Sequence, residues 1–430
     1  MKIRTAWLWL LFAMLIAPAL LRAQEPQPQK PPPATRQYSL PPDKLQRAIE
    51  YAHARNWLYF VGEFYSVAML LAILVIGVSA KFRDWAEAAS RRRFAQALVF
   101  VPLIVLANDF LNLPLGVYGQ HLELKFDQSI ESWPAWLWDW TKGELLSIAL
   151  AVLVVFILYG VIRRSPRRCW FHFWLACLPI LFTIIFLEPY IIEPLFFKFD
   201  PLAKRHADLV NELEKVVRRG GLAIPPERMF EMKASEKLKS LNAYVSGFGA
   251  SKRVVVWDTT LEKLTTPEIL FVFGHEMGHY VLGHIRNFLI FASLFALILL
   301  YAGYHVAHWV IRRWGAAWRI RALDDWASLP ALILILSIFS FLSQPIANGY
   351  SRWQEHQADI YGLEVTHGLI PDSRAAASHT FQVLGEVGLD EPDPNPFIEF
   401  WTYSHPSTAE RVAFAQGYDP WSNGTMKYVK

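Results

Sequence analysis

Apolar runs long enough to cross a membrane recur along this 430-residue chain. A spanning helix needs about 20 consecutive, mainly apolar residues. Six runs meet that requirement, at about 57–79, 94–115, 143–162, 170–192, 287–311 and 329–350. The pattern therefore predicts an all-α, multi-pass membrane protein.

A seventh, weaker apolar run lies at residues 6–21, behind Lys2 and Arg4. It is short, and a stretch rich in Pro and Gln follows it at 24–34. These features fit a cleavable signal peptide and a first spanning helix equally well. Residues 1–23 are expected to be one or the other, which gives six or seven spans in all.

Basic residues are concentrated in three short loops, 80–93, 163–169 and 312–328. Short loops rich in Lys and Arg are retained on the cytoplasmic side of a membrane. The three loops alternate with the others along the chain, so they share one side, which is predicted to be cytoplasmic. The long segments 193–286 and 351–430 are then expected outside the cytoplasm.

Composition agrees with a membrane protein, because 53% of the residues are hydrophobic and only 19% are charged, against about 25% charged in soluble domains. The net charge of +4 is too small for a nucleic-acid partner. The chain has two cysteines, Cys169 and Cys177, which exclude a disulfide framework and a Cys-based zinc site. Any metal must be held by His and carboxylate side chains.

Between the fourth and fifth apolar runs the composition becomes that of a soluble segment. A charged amphipathic helix is predicted at about 203–219, and two β-rich runs at 241–247 and 252–258 predict a small hairpin. The residues at 265–268 supply a Thr cap, a Pro and a Glu, which indicate the start of a helix that continues to 285.

That helix carries an HExxH motif, formed by His275, Glu276 and His279. Imidazoles at i and i+4 lie on one helical face and can reach the same tetrahedral ion. Glu276 can contact a water in the open fourth position. The alternative is a buried histidine pair, which would leave Glu276 as an unpaired charge in an apolar helix. The motif therefore predicts a site for one Zn²⁺ ion.

The third ligand distinguishes the classes of HExxH protease. An extended HExxHxxGxxH site needs Gly at 282 and His at 285, where this chain has Leu282 and Ile285. That class is excluded. His284 stands at the wrong offset for a ligand and is expected at the end of the helix.

A carboxylate from a later helix is the remaining source of a third ligand, and Glu355 follows directly after the last apolar run. Asp359, one turn further on, could accept an N–H from a ligating imidazole. His356 is a second conceivable ligand. On spacing alone, these residues could also be solvated surface groups.

Six motifs in order along the chain resemble the type I CAAX prenyl protease family of integral-membrane zinc endopeptidases. They lie at 113–118 (LPLGVY), 194–199 (PLFFKF), 242–259, 275–279 (HEMGH), 355–359 (EHQAD) and 404–411. The resemblance implies an α-helical barrel around a water-filled chamber, with the protease site inside it.

The resemblance also implies roles for single residues. His275, His279 and Glu355 would bind zinc, which activates a water and polarises the scissile carbonyl. Glu276 would be the general base that takes the proton from that water and passes it to the leaving amine.

Further roles follow from the same resemblance. His405 and Arg411 would stabilise the developing oxyanion or hold the site together. Asn242, Ala243 and Tyr244 would offer a strand edge to an extended peptide. From the residues alone, His405 could lie in a turn before a helix, Arg411 at the surface, and the strand in an ordinary hairpin.

The sequence thus predicts a membrane zinc metalloendopeptidase whose partners are membrane lipids and a peptide or protein substrate, with or without a lipid. A membrane quality-control zinc protease of the heat-shock type is an alternative, and a transporter-like scaffold with a structural zinc site is another. A signal peptide at residues 1–23 would indicate a bacterial protein, and the expected location is then a bacterial inner membrane. The family's prenyl proteases act on cytoplasmic substrates, whereas the basic loops predict that this zinc site lies on the opposite side of the membrane. The sequence therefore does not identify the natural substrate.

The predicted organisation has six segments. They are the signal peptide or first span (1–23), a Pro-rich stretch with an amphipathic lead-in (24–56), the first spans (57–192), the segment with the hairpin and HExxH helix (193–286), a transmembrane hairpin (287–350) and a C-terminal segment with the third ligand (351–430).

Overall fold

The computed structural model describes residues 38–247 and 252–429. The predictions for residues 1–23, for most of the Pro-rich stretch and for the turn of the hairpin lie outside these ranges. In the described part of the chain, six helices are long and apolar enough to cross a membrane. They coincide with the six apolar runs, and the predicted helical class is confirmed.

The described chain is built from fourteen helices and four short strands, apart from single turns of tighter or wider helix. In chain order they are α1 (Pro42–Ile76), α2 (Val78–Ala89), α3 (Arg93–Lys125), α4 (Trp133–Arg164), α5 (Cys169–Leu187), α6 (Glu193–Phe196), β1 (Phe199–Pro201), α7 (Ala207–Arg219), β2 (Met229–Met232), β3 (Ala243–Ser246), β4 (Arg253–Trp257), α8 (Asp258–Lys263), α9 (Thr266–Val281), α10 (His284–Trp314), α11 (Leu329–Thr366), α12 (Ser373–Gly388), α13 (Pro396–Thr402) and α14 (Thr408–Gly417).

Several helices extend well past the apolar runs that predict them. Helix α1 begins at Pro42, ahead of the run that starts at 57, and α11 continues from Leu329 to Thr366. Hydropathy identifies only the part of a helix that lies in hydrocarbon. The last helix continues beyond its apolar run, which ends at residue 350. The segment with Glu355 is therefore a direct continuation of the last span.

The small β element is larger than the predicted hairpin. Strands β3 and β4 pair antiparallel as expected, but they belong to a four-stranded sheet in the order β1-β2-β4-β3, with β2 parallel to β4. The hairpin prediction missed β1 and β2, which have three and four residues and are separated by α7, so no turn in the sequence marks their pairing. Within this sheet, β3 is an edge strand.

The three basic loops meet at one end of the helices, as their alternation along the chain predicts. The first of them, 80–93, is mostly helical, since α2 ends only at Ala89. Arg83 Nη1 lies 2.7 Å from Asp325 Oδ2, and this ion pair between two loops is buried. Arg163, at the end of α4, donates from Nη2 to the carbonyl oxygen of Asp324 at 3.2 Å. These contacts join all three loops into one polar end.

Helices α9 and α11 approach each other closely because glycines occupy the positions where the two helices touch. A Cβ built on Gly274 would lie 2.8 Å from a methyl of Val365, and one on Gly278 would lie 3.0 Å from Tyr361 Cβ. On the opposite helix, a Cβ on Gly362 would lie 3.0 Å from the backbone nitrogen of His275. Side chains larger than hydrogen at these positions would push the two helices apart.

The Gly362→Ala substitution tests this contact. The new methyl meets backbone atoms of α9 that cannot rotate away, so we expect a loss of about 1–3 kcal/mol in stability and weaker metal binding. The control is Gly349→Ala on the same helix, where the nearest atom is the flexible end of Arg352 at 3.8 Å. Thermal unfolding and metal content in detergent measure both variants, and equal behaviour of the two would contradict the packing account.

Candidate metal centre

Helix α9 places the two histidines of the HExxH motif. Its start is fixed by a capping box, in which the Thr265 backbone N–H donates to Glu268 Oε2 at 2.7 Å. His275 and His279 then fall one turn apart on the same face, and their Nε2 atoms lie 3.2 Å from each other. Two nitrogen donors are thereby directed at one point.

Glu355 on α11 brings a carboxylate to the same point. Its Oε2 lies 3.2 Å from His275 Nε2, and its Oε1 lies 3.5 Å from His279 Nε2. Within the described residues, these three side chains form the one group of His, Cys, Asp or Glu with ligand atoms all within 4.8 Å.

The spacing and chemistry of this group suit a metal ion. Ligand atoms at about 2.0–2.2 Å from a tetrahedral zinc ion lie about 3.3–3.6 Å from one another, close to the separations found here. Glu355 Oε2 is buried and receives no hydrogen bond in the described structure. A cation between the imidazoles and the carboxylate would satisfy that oxygen, which is otherwise costly to bury.

Asp359 and Arg411 support the first imidazole. Asp359 Oδ1 lies 2.8 Å from His275 Nδ1, and Asp359 is almost fully buried. Arg411 donates from Nε and Nη2 to the two oxygens of that carboxylate, at 3.0 and 2.6 Å. Burial alone would lower the pKa of Arg411, but the Asp359 carboxylate more than offsets it and raises the pKa. Arg411 therefore anchors Asp359 as a permanent cation.

The second imidazole has a different neighbour, which sequence reasoning missed. His284 Nδ1 lies 3.1 Å from His279 Nδ1, and His284 Nε2 lies 3.4 Å from Gln357 Oε1. The continuous helix predicted through 285 is interrupted at Gly283, whose φ of 69° turns the chain back so that His284 begins α10. This glycine was the available signal for the turn.

Glu276 and His405 flank the three candidate ligands. Glu276 Oε1 lies 4.0 Å from His275 Nε2. Burial raises the pKa of the Glu276 carboxyl, against the opposing charges of His275 and His279. His405 Nε2 lies 3.3 Å from Glu355 Oε2, and its Nδ1 lies 2.9 Å from Ser404 Oγ. The ring of His405 thus reaches the metal group from the C-terminal segment.

His356, the other conceivable ligand, lies outside the group. Its ring packs on Phe414, with centroids 4.5 Å apart. The neighbouring Glu355 takes the inward position on α11 because residues adjacent on a helix point about 100° apart.

The strand predicted to bind substrate lies beside α9 and forms the sheet edge. Ala243 is buried against the core, while Tyr244 points to the other face and donates from its hydroxyl to Glu193 Oε2 at 3.0 Å. The backbone N–H of Asn242 is already bonded to Thr260 Oγ1 at 2.8 Å. An edge strand still has one unpaired side, so β3 can accept another strand.

Comparison with protein families covers both parts of the chain. The model of peptidase family M48 matches residues 203–419, which hold the HExxH helix, Glu355 and Arg411. The chain belongs to peptidase family M48. The model of the CAAX prenyl protease N-terminal region, with five membrane helices, matches residues 24–198.

Relatives of this M48 member align along most of their length. A protein of Bacillus subtilis named uncharacterized metalloprotease YhfN is 36% identical, over 87% of this chain and 86% of its own. The CAAX prenyl protease 1 homolog of Arabidopsis thaliana is 25% identical over 88% of each chain. The crystal structure of Ste24p from S. mikatae superimposes with a TM-score of 0.76 at 21% identity, covering 91% of this chain and 93% of that one.

These comparisons establish the general activity. The chain is a CAAX prenyl protease-like metalloendopeptidase and a multi-pass integral membrane protein, and its fold is that of Ste24p. Membership of a metalloprotease family agrees with the donor group on α9 and α11.

We expect His284 to hold the orientation of His279. Removing such a contact to a ligating imidazole costs about 10–100-fold in metal affinity, and His284→Ala should fall in that range, as measured by competition with a chelator. His305→Ala is the control, because its ring lies on the same helix and contacts only Tyr301 and Tyr304 among the described rings. Unchanged affinity in His284→Ala would remove His284 from the metal centre.

Proposed function

We propose that this chain hydrolyses peptide bonds at a single Zn²⁺ held by His275, His279 and Glu355. The observation that supports the proposal is the convergence of these three ligand atoms from two helices, with a general-base candidate beside them. A zinc ion bound there supplies Lewis-acid polarisation of the peptide carbonyl and makes water acidic enough to react near neutral pH.

Glu276 is the proposed general base. Its Oε1 faces the same point as the imidazoles, from where the carboxylate takes a proton from the attacking water and passes it to the leaving amine. His405 Nε2 lies on the other side of Glu355, close enough to donate a hydrogen bond to the developing oxyanion. Arg411 acts through Asp359, which holds the ring of His275.

The substrate is proposed to bind as an added strand on β3. Along the edge formed by Asn242, Ala243 and Tyr244, the backbone groups that β4 and Thr260 leave unpaired would bind an extended peptide, in the manner of β-augmentation. Strand β3 packs against α9, so a peptide paired with it would run past the HExxH face. The substrate is therefore an unfolded stretch of peptide or protein.

Relatives named CAAX prenyl protease 1 make a lipidated C-terminal peptide the first substrate to examine. Peptides matched in sequence but with and without a prenyl group would separate a CAAX-type specificity from general proteolysis of the quality-control kind. Faster cleavage of the prenylated peptide supports the first, and equal rates support the second.

The Glu276→Gln substitution distinguishes a peptidase from a scaffold with structural zinc. The amide keeps the size of the side chain but cannot take a proton, so peptide cleavage in detergent should fall by about 10²–10⁴-fold while the metal content persists. Glu355→Gln is the companion variant and should lose metal as well. Cleavage by Glu276→Gln at the full rate would disprove the assigned mechanism.

We also propose that the metal centre faces away from the cytoplasm of a bacterial inner membrane, because the basic loops meet at the opposite end. With Cys169 and Cys177 replaced by Ser, an impermeant maleimide should label Glu262→Cys on intact cells. It should label Arg167→Cys only after permeabilisation. Both side chains are exposed, so a difference in labelling reports the side of the membrane on which each lies. The reverse pattern would invert the topology.

A further inference from the structure

The end of the molecule formed by the three basic loops carries a large excess of positive charge. Loops 80–93, 163–169 and 312–328 contain thirteen Lys and Arg residues against four Asp and Glu residues. Three of those four acidic side chains pair with just two arginines, Arg83 and Arg321. Eleven basic side chains therefore remain with a single acidic neighbour in these loops, the side chain of Asp324.

One of these arginines is held in a defined place and forms no ion pair with the carboxylates of the described residues. The guanidinium of Arg163 lies over the ring of Trp326, 4.7 Å from its centroid, and 5.5 Å from that of Tyr159. Its Nη2 donates to the Asp324 carbonyl oxygen, but its Nε is buried and has no hydrogen-bond partner in the described structure. Because Nε is buried, the donors that a ligand can reach are those of the terminal Nη1 and Nη2 groups.

A second arginine completes the pair. Arg93, at the start of α3, is linked through Gln96 to the same Trp326 on which Arg163 lies. Arg93 Nη1 donates to Gln96 Oε1 at 3.0 Å, and that same oxygen accepts from Trp326 Nε1 at 3.0 Å. Trp326 thus fixes both arginines, one through Gln96 and the other through its ring face. Two positioned guanidinium groups, neither of which has a carboxylate within 4.0 Å among the described residues, fit an anion.

The position of this arginine pair at the ends of two membrane-spanning helices indicates which anion it binds. Arg93 begins one span and Arg163 lies at the end of another, so both stand where hydrocarbon gives way to the polar head groups. Large aromatic side chains at the same end are exposed, with Trp85 48%, Phe94 52% and Trp309 54% accessible. Exposed Trp side chains at the ends of spans are typical of the membrane interface.

We propose that Arg93 and Arg163 form a binding site for the phosphodiester head group of an anionic phospholipid. The phosphate oxygens lie between the two guanidinium groups and accept the unused N–H donors, and the exposed arginines 164, 167 and 168 on the neighbouring turn add attraction at longer range. The acyl chains lie along the apolar surface beside Phe94. This site is independent of the metal centre, at the other end of the spans.

The test compares phosphatidylglycerol with phosphatidylcholine of the same acyl chains, added to the full-length protein in detergent. Native mass spectrometry measures the bound lipid. Phosphatidylglycerol should bind selectively, and Arg93→Gln with Arg163→Gln should weaken its binding at least about tenfold. The control pair, Arg312→Gln with Arg313→Gln, removes the same charge from the same end and should change the affinity by less than about threefold.

Each other outcome contradicts the proposal. Equal binding of the two lipids, which share the phosphodiester, would mean that the net negative charge of the lipid is not recognised. Equal weakening by both variant pairs would mean that only diffuse charge attracts the lipid. If the double variant fails to fold, Arg163→Lys replaces it, because it keeps the charge but loses the planar fork. Wild-type lipid affinity in that variant would exclude Arg163 from the site. Peptide cleavage serves as the check on folding.

Discussion

The close contact between α9 and α11 is the constraint on which the metal centre depends. Neither helix carries a complete ligand set, since two donors come from α9 and the third from α11. The carboxylate reaches the imidazoles only because Gly274, Gly278 and Gly362 remove side-chain bulk from the interface. Packing in protein interiors is dense enough that one added methyl group displaces its neighbours. The glycines around the HExxH motif are thus as important to the site as its histidines.

A second layer of charge fixes the orientation of the donors. Asp359 is buried and would be unfavourable without a partner, and Arg411 supplies that partner with two hydrogen bonds. The same carboxylate lies against His275 Nδ1, so the C-terminal helix α14 is connected to the HExxH helix through one side chain. His284 provides the contact for the other imidazole from the turn at Gly283. Each histidine is therefore held from its far side by a different part of the chain.

The sequence predicts the six spans well, because hydrocarbon imposes a length and a composition that are visible in apolar runs. It also predicts that His275, Glu276 and His279 share a helical face, since that follows from the helical repeat. Glu355 was reached by elimination of other third ligands and then by a resemblance, because a contact across 76 residues leaves no local signal. Strands β1 and β2 and the role of His284 were missed for a related reason: short strands and a turn at one glycine are decided by tertiary contacts. The expected roles of Arg411 and His405 stay predictions, although both side chains lie at the site.

The continuity of α11 has a mechanical consequence. From Leu329, at the basic end, to Glu355 the helix rises about 39 Å as one element. Its inclination inside the bilayer is set in part by how well its apolar length matches the hydrocarbon thickness. Pro345 lies within it and weakens the backbone ladder at one point, where a bend can be absorbed. A change in the tilt of α11 with bilayer thickness would therefore also move Glu355, which stands on the same helix 26 residues beyond Leu329.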